Sequence, residues 1–344
     1  MTRIGINPAR GKSVYQQPAR VTVALLTHIP DLSGYFENKL HILKLVFESL
    51  RTHTSNQYDL LVFDNGSCQE VTDFLISRNR SGEINYLFLS DRNIGKIDAL
   101  HFIFNAAPGE IVAYSDDDIL FYPNWLEAQL DIFESFPKAG MVSGVPVRNA
   151  SKHARRSLDK IAAEGAVGIS TSFERRIPDH WEEDWAASTG RDLEAHLQAT
   201  QDHQDLILRA EDPNTGKICE AIGSANHFQF ITPKNVILQA LPASWSGKLM
   251  GSMVELDQSI DNLGYLRLST VERYTRHLGN VLSSDVIREA QKMGFLNNIA
   301  ETQNNAIQLP SNRQGRKRHW LLHIPGGRRV LSAIYHRLYK ILYT

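Results

Sequence analysis

Three consecutive carboxylates, Asp116, Asp117 and Asp118, stand directly after an apolar run, Ile111-Val112-Ala113-Tyr114. Like charges at this spacing repel, and acids at the end of a buried strand titrate abnormally unless a cation sits among them. A hard divalent cation with oxygen ligands is the simplest relief. The alternative is a solvated turn whose Asp side chains cap the next helix. A second acidic pair, Glu255 and Asp257, lies far along the chain at what reads as the start of a helix, where negative charge also complements the helix dipole. His277 follows in a loop, placed to add an imidazole to a metal shell or to be an ordinary loop histidine. His180, His196, His203 and His227 show no grouping of the kind that binds metal.

These residues need a scaffold, and the hydrophobic pattern supplies one. Val21–Leu26, Asp59–Phe63, Ile84–Leu89 and Ile111–Tyr114 read as strands, the first and last of them buried, with helical stretches at 40–50, from 71 and at 97–107 between them. Strand and helix alternating four times implies an α/β layer structure with a largely parallel sheet. In such sheets ligands bind beyond the carboxyl ends of the strands. The polar loops fall there: Thr27-His28, Asp64-Asn65, Asn93 to Lys96, and Asp116 to Asp118. Four strand ends are thus expected to converge on one crevice.

Further on, Met141–Val147 reads as a fifth strand, and residues 148–217 turn polar, with a helix expected over 191–209. This segment is expected to be an insertion or lid over the crevice, or a surface excursion. Residues 218–231 read as one strand returning to the core, 233–241 as a short helix, and 257–265 as a helix closed by Gly264.

The chain has 344 residues, 42% hydrophobic and 22% charged, enough for a sizeable core. The net charge of −1 conceals an asymmetry: residues 313–344 hold eight of the 37 Lys/Arg and none of the 38 Asp/Glu. Within that tail Val330, Leu331, Ile334, Tyr335, Leu338, Ile341 and Leu342 form an apolar helical face beside Arg329, Arg337 and Lys340. A basic amphipathic helix can lie on an anionic membrane surface or dock on its own domain. Two distant cysteines, Cys68 and Cys219, give neither a disulfide framework nor a thiolate zinc site. No apolar run approaches the ~20 residues of a membrane span. The expected location is cytoplasmic, with the tail offering contact to the cytoplasmic membrane face. The basic tail carries no recognised nucleic-acid-binding module, so no nucleic-acid partner is expected.

Four pieces together resemble glycosyltransferase family 2, nucleotide-sugar enzymes of the GT-A fold: VTVALLTHIP; DLLVFDNGS; NIGKIDALHFIFNAAPGEIVAYSDDDILFYPNWL; and VELDQSIDNLGYLRLST followed by HLGN. The resemblance covers about residues 21–150 and 220–280, and its third piece is the most specific. It implies a Rossmann-like, mostly parallel sheet flanked by helices, with an inserted acceptor-side region and a C-terminal basic helix. Residues 1–20 would be a flexible arm, 21–147 the nucleotide-sugar-binding half, 148–217 the insertion or lid, 218–300 the acceptor and catalytic-base half, and 301–344 the basic tail.

The roles implied are these. Thr27, Asp64 and Asn65 would contact the base or ribose, and Asn93, Gly95 and Lys96 would line the diphosphate pocket. Asp116 and Asp118 would hold the ribose and a divalent metal, Mn2+ or Mg2+, with Asp117 an alternative in the register, and His277 would complete the metal shell or bind the leaving diphosphate. Asp257, or else Glu255, would be the carboxylate base. The implied reaction is an inverting transfer from a nucleotide-diphosphate sugar to an acceptor hydroxyl on a glycan or a lipid-linked molecule. Developing charge on the leaving diphosphate calls for a cation, and the acceptor hydroxyl calls for a base, so two acidic centres fit that chemistry. Two other readings compete. A non-catalytic nucleotide-sugar or carbohydrate-binding protein on the same fold would explain the unusual spacing of Glu255 and Asp257. A nucleotidyltransferase would open with a Gly-rich, Arg-containing loop, and Thr27-His28-Ile29-Pro30-Asp31 is not one.

Overall fold

The structure, a computed structural model, describes residues 17–212, 215–245 and 251–295, together with the isolated positions 5, 10 and 247. The expectations for the tail at 313–344, and for most of the arm at 1–20, lie outside the described residues.

The centre is a sheet whose inner strands are buried on both faces. β1 (Val21–Thr27) is buried along its whole length. Val21, Val23 and Leu25 pack in the core on one face, and Ala24 and Leu26 in the core on the other. β2 (Tyr58–Asn65) and β4 (Ile111–Asp116) alternate in the same way, with Leu60, Val62, Ile111 and Ala113 to one side and Leu61, Phe63, Val112 and Tyr114 to the other. This is the two-residue period of a strand covered by helices on both faces. Full burial of each such side chain stabilises the fold by about 1.5–3 kcal/mol.

α1 (Lys39–His53) covers the first face through Ile42, Leu43, Val46 and Leu50. α2 (Gln69–Arg80) leads to β3 (Tyr86–Ser90). α3 (Lys96–Ala106) covers the second face through Ile97, Leu100, Ile103 and Phe104. After β4 come the short β5 (Ile119–Phe121), α4 (Trp125–Ser135) and β6 (Ala139–Ser143). The chain continues through α5 (Arg156–Glu164), β7 (Ile169–Glu174), α6 (Asp179–Ser188), α7 (Leu193–Thr200) and β8 (Asp205–Glu211). It closes with β9 (Ile218–Ile222), β10 (Gln229–Pro233), α8 (Lys234–Ala240), α9 (Gly251–Asn262), β11 (Leu266–Ser269), β12 (Thr275–His277) and α10 (Ser284–Lys292).

Among the described residues ten strands form one sheet in the order β3-β2-β1-β4-β10-β6-β11-β9-β8-β7. β10, β9 and β7 run against the other seven. The expected architecture, a mostly parallel central sheet flanked by helices, is therefore present. β5 and β12 pair as a separate ribbon, with His277 opposite Ile119.

Within 148–217, β7 and β8 extend the main sheet. Three local expectations are corrected. The helix expected over 191–209 ends at Thr200, and β8 follows. The single strand expected over 218–231 is two strands, β9 and β10, parted by residues 223–228. The helix expected to begin at Asp257 begins at Gly251, so Asp257 lies in its middle.

Candidate active site

Register brings the site together. Thr27 pairs with Asp64 across β1 and β2, and Leu26 pairs with Asp116 across β1 and β4, so the polar residues ending three adjacent strands share one edge. Loops from the other elements then lock onto that edge. Asn65 Oδ1 accepts the Ile94 amide at 2.9 Å, and Asn65 Nδ2 donates to Asn93 Oδ1 at 3.0 Å. Asn93 Oδ1 also accepts the Gly95 amide at 2.7 Å. The His28 ring bridges the Asn65 carbonyl at 2.8 Å and Asn93 Nδ2 at 3.2 Å. Gly66 is needed where these loops meet: its φ is +78°, and a Cβ there would stand 2.6 Å from the Arg92 carbonyl carbon. Asp64 is buried and accepts the Ser67 amide at 3.2 Å, and burial pushes its carboxyl above the usual range.

The three central acids have three different environments. Asp116 is gripped by Lys96, whose Nζ lies 2.7 and 2.8 Å from its two oxygens, and it accepts a hydrogen bond from Tyr114. Asp117 is buried, accepting from the Thr27 hydroxyl at 2.6 Å and from Lys39 Nζ at 2.5 Å. Asp118 takes a second bond from Lys39 at 3.1 Å through Oδ2. Its Oδ1 is buried with no hydrogen-bond partner and faces His277 Nε2 at 3.6 Å. The other His277 nitrogen is satisfied by Ser188 Oγ at 2.8 Å. Burial drives the Asp118 carboxyl upward, but Lys39, His277 and Lys96 together outweigh it and hold the group below the usual carboxylate range. Burial opposes the charge on Lys39 as well, and Asp117 and Asp118 overcome it, so the ammonium persists well above its ordinary range.

Both lysines open helices: Lys39 is the first residue of α1 and Lys96 the first of α3. A cation at that position works against the helix dipole. The opposing carboxylates offset that cost, which ties both helix ends to the acidic turn. Lys39 was not among the residues singled out in the sequence. A lysine directly ahead of the buried apolar residues Ile42, Leu43 and Val46 was the signal that could have found it.

The residues fit a divalent cation in part. Asp118 Oδ1 and His277 Nε2 present an oxygen and a nitrogen to one point, and an unpartnered buried oxygen is what a missing ion leaves behind. Asp116 is committed to Lys96, and no group of three metal-binding side chains forms among the described residues. Two protein ligands with the remaining positions left to phosphate and water is a usual arrangement for such ions.

Asp257 belongs to a second centre. It is fully buried on α9, and its Oδ2 receives His153 Nε2 at 2.7 Å, Arg267 at 3.0 Å and His227 Nδ1 at 3.1 Å. Burial pushes the carboxyl up, but Arg267 and the two imidazoles prevail and depress it strongly. Glu255, two residues earlier on the same helix, is exposed and makes no hydrogen bond or ion pair among the described residues. The two acids of the pair thus leave the helix in different directions, and one of them is sealed.

The 148–217 segment reaches the first centre through α6. Ser188 at the end of α6 holds His277, and Gly279 passes so close to the Ser188 carbonyl that a Cβ would overlap it. Asp184 on α6 also pairs with Arg273, just before β12, at 2.5 Å and with Arg276, within β12, at 2.8 Å. The surface hollows beside α1 and α2, lined by residues such as Phe47, Phe74 and Glu83, contain none of these carboxylates.

Residues 35–191 match the model of glycosyl transferase family 2. No curated protein matches the chain. Among solved structures, a mannosyltransferase from Pyrobaculum calidifontis, in complex with GDP-Man and Mn2+, is 15% identical over 84% of this chain and 66% of its own, with a TM-score of 0.42. Glucosyl-3-phosphoglycerate synthase from Mycobacterium tuberculosis, with Mn2+, UDP and glucosyl-3-phosphoglycerate, is 14% identical over 82% of this chain and 79% of its own, with a TM-score of 0.42. S. aureus TarS 1-349 is 14% identical over 36% of this chain, which spans 34% of that structure, with a TM-score of 0.30. The family that the motifs resemble is the one whose model residues 35–191 match.

Proposed function

We propose that the chain transfers a sugar from a nucleotide-diphosphate donor to an acceptor hydroxyl. The observation that carries this is the acidic turn at the carboxyl edge of the sheet, where Asp116–Asp118 meet two helix-opening lysines and His277. Asn65, Asn93 and Gly95 shape the adjoining loops, on the side where the donor nucleotide lies. Lys96 and the amino end of α3 face the diphosphate and attract its charge. Asp118 and His277 hold the divalent cation, Mn2+ or Mg2+. When bound, the cation neutralises charge developing on the leaving diphosphate. Thr27 and Lys39 keep Asp117 in place beneath it, a positioning role. The centre around Asp257 serves the acceptor hydroxyl, and the transfer inverts the anomeric carbon in one displacement.

A second reading has an observation in its favour. Asp257 Oδ2 is held by Arg267, His153 and His227 while its Oδ1 is buried without a partner, and a carboxylate so neutralised and sealed from solvent is a poor proton acceptor. A donor-binding protein without turnover would tolerate that arrangement. Release of nucleotide diphosphate from UDP-glucose, UDP-N-acetylglucosamine, GDP-mannose and dTDP-glucose, with manganese and with methyl glycosides as acceptors, separates the two. Release from one donor is expected. Tight donor binding with no release would establish the binding protein instead.

A further inference from the structure

We propose that the proton acceptor is the imidazole of His227, with Asp257 acting behind it as a positioning residue. This rests on the glycosyltransfer reading above and deepens it.

Three observations place His227 there. The first is position. His227 lies two residues before β10, which runs antiparallel to β4 and therefore begins at the carboxyl edge of the sheet. The next residue, Phe228, gives its carbonyl to the Asp116 amide at 2.8 Å, and its ring lies 5.0 Å from the His277 ring. The backbone that carries His227 is thus fastened to both the acidic turn and the cation-holding histidine.

The second observation is orientation. Asp257 has no proton to give, so the His227 nitrogen that faces it, Nδ1, is the one that carries hydrogen. In the neutral ring this leaves the lone pair on Nε2, which has no partner among the described residues. A buried carboxylate that fixes one tautomer and directs the opposite nitrogen outward is the arrangement a general base requires.

The third is exclusion. Asp257 itself is fully buried, and its charge is already met by Arg267, whose guanidinium is buried and also donates to the Ala225 carbonyl at 2.7 Å. The His227 side chain retains 16% of its surface, so a hydroxyl can reach the ring although it cannot reach the carboxylate. The groups facing His227 across this centre are Asp257 from α9, Arg267 from β11 and His153 from the loop after the short 3-10 helix Arg148–Lys152. His153 contacts the same carboxylate oxygen but lacks the backbone link to Asp116.

The step balances without a further reagent. The acceptor oxygen forms a bond to the anomeric carbon as its proton passes to His227 Nε2. The bond from that carbon to the diphosphate oxygen breaks, and its electron pair leaves with the diphosphate. The resulting imidazolium keeps its Nδ1–H on Asp257 and later returns its extra proton to solvent.

The test compares His227→Asn with wild type and with His153→Asn in the full chain. An Asn amide nitrogen can stand where Nδ1 stood and keep the bond to Asp257, while nothing replaces Nε2. Manganese-dependent calorimetry with UDP, GDP and dTDP is expected to give the same affinity as wild type, which shows that the donor site is folded. Nucleotide release from the donor panel is expected to fall about 10²- to 10⁴-fold in kcat, the usual contribution of a positioned base. The acid limb of its pH profile should vanish, and added imidazole should restore part of the rate. His153→Asn should retain that limb. As an independent readout, nitrogen-15 spectra should show His227 as the Nδ1–H tautomer in wild type but not in Asp257→Asn. Near-wild-type release by His227→Asn, or an Nε2–H tautomer in wild type, would overturn the assignment of His227 alone. No release by wild type from any donor would overturn the transfer reading and this step with it.

Discussion

Replacing Lys39 by Met tests the electrostatic account of the acidic turn. The ammonium is 2.5 Å from Asp117 and 3.1 Å from Asp118, with side-chain exposures of 7%, 10% and 14% for the three groups. Met keeps the length of the stem and removes the charge, so two buried carboxylates lose their shared partner. Breaking a buried pair from one side costs about 3–5 kcal/mol, because the remaining charge stays desolvated. The sign of the pH dependence follows from the shifts. In wild type the depressed Asp118 adds stability that is present above its unfolded value of about 3.9 and is lost as pH falls through its folded value. The raised Lys39 adds stability that is complete below its unfolded value of 10.5 and is lost only as pH rises through its still higher folded value. Between those limits the wild-type contribution is flat. In Lys39→Met burial becomes the dominant influence on Asp118, so its carboxyl rises, and the deficit should grow from about pH 4 to about pH 7. Urea unfolding at several pH values reads this directly, and manganese should recover part of the deficit. A variant as stable as wild type at neutral pH without metal would refute the reasoning.

Two further outcomes follow. Gly66→Ala places a Cβ 2.6 Å from the Arg92 carbonyl carbon at a φ of +78°, so it should lose about 1–3 kcal/mol in denaturant unfolding and loosen the Asn65–Asn93 contact. Asp257→Asn leaves Arg267 buried without its anion and should cost about 3–5 kcal/mol at neutral pH. Because the Asp257 carboxyl is depressed, its stabilisation is present above about 3.9 and lost as pH falls through the folded value, so the gap to wild type should close in acid.

The sequence disclosed the half of the molecule in which burial is continuous. β1, β2 and β4 are hydrophobic on both faces, so each shows as an uninterrupted apolar run ending in a polar loop, and those ends form the polar edge of the candidate site. Elsewhere one-dimensional pattern failed for physical reasons. β7 lies at the sheet's far edge with its side chains half exposed, so nothing in its composition separates it from a loop. β9 and β10 merged into one strand because Gly223, Ser224 and Ala225 carry no breaking charge between them. The helix expected from Asp257 starts six residues earlier, because Met253 and Leu256 belong to α9 and pack in the core.

The candidate site divides in the same way. The acids and the Asn93–Lys96 loop were visible because charge at a strand end is conspicuous. Lys39 and His227 were not, because each gains its meaning from a partner 78 or 30 residues away. The side chains that hold His277, Ser188 above all, come from a segment with no motif, and only the fold of α6 against β12 brings them there.

The most direct test of the central claim is calorimetry with UDP, GDP and dTDP, each with and without manganese, on wild type and on Asp118→Ala. The account predicts that one nucleotide binds, that manganese strengthens it, and that the variant loses the manganese effect because the unpartnered oxygen facing His277 is gone. Binding that ignores manganese, or persists unchanged in Asp118→Ala, would contradict a donor site built on the acidic turn.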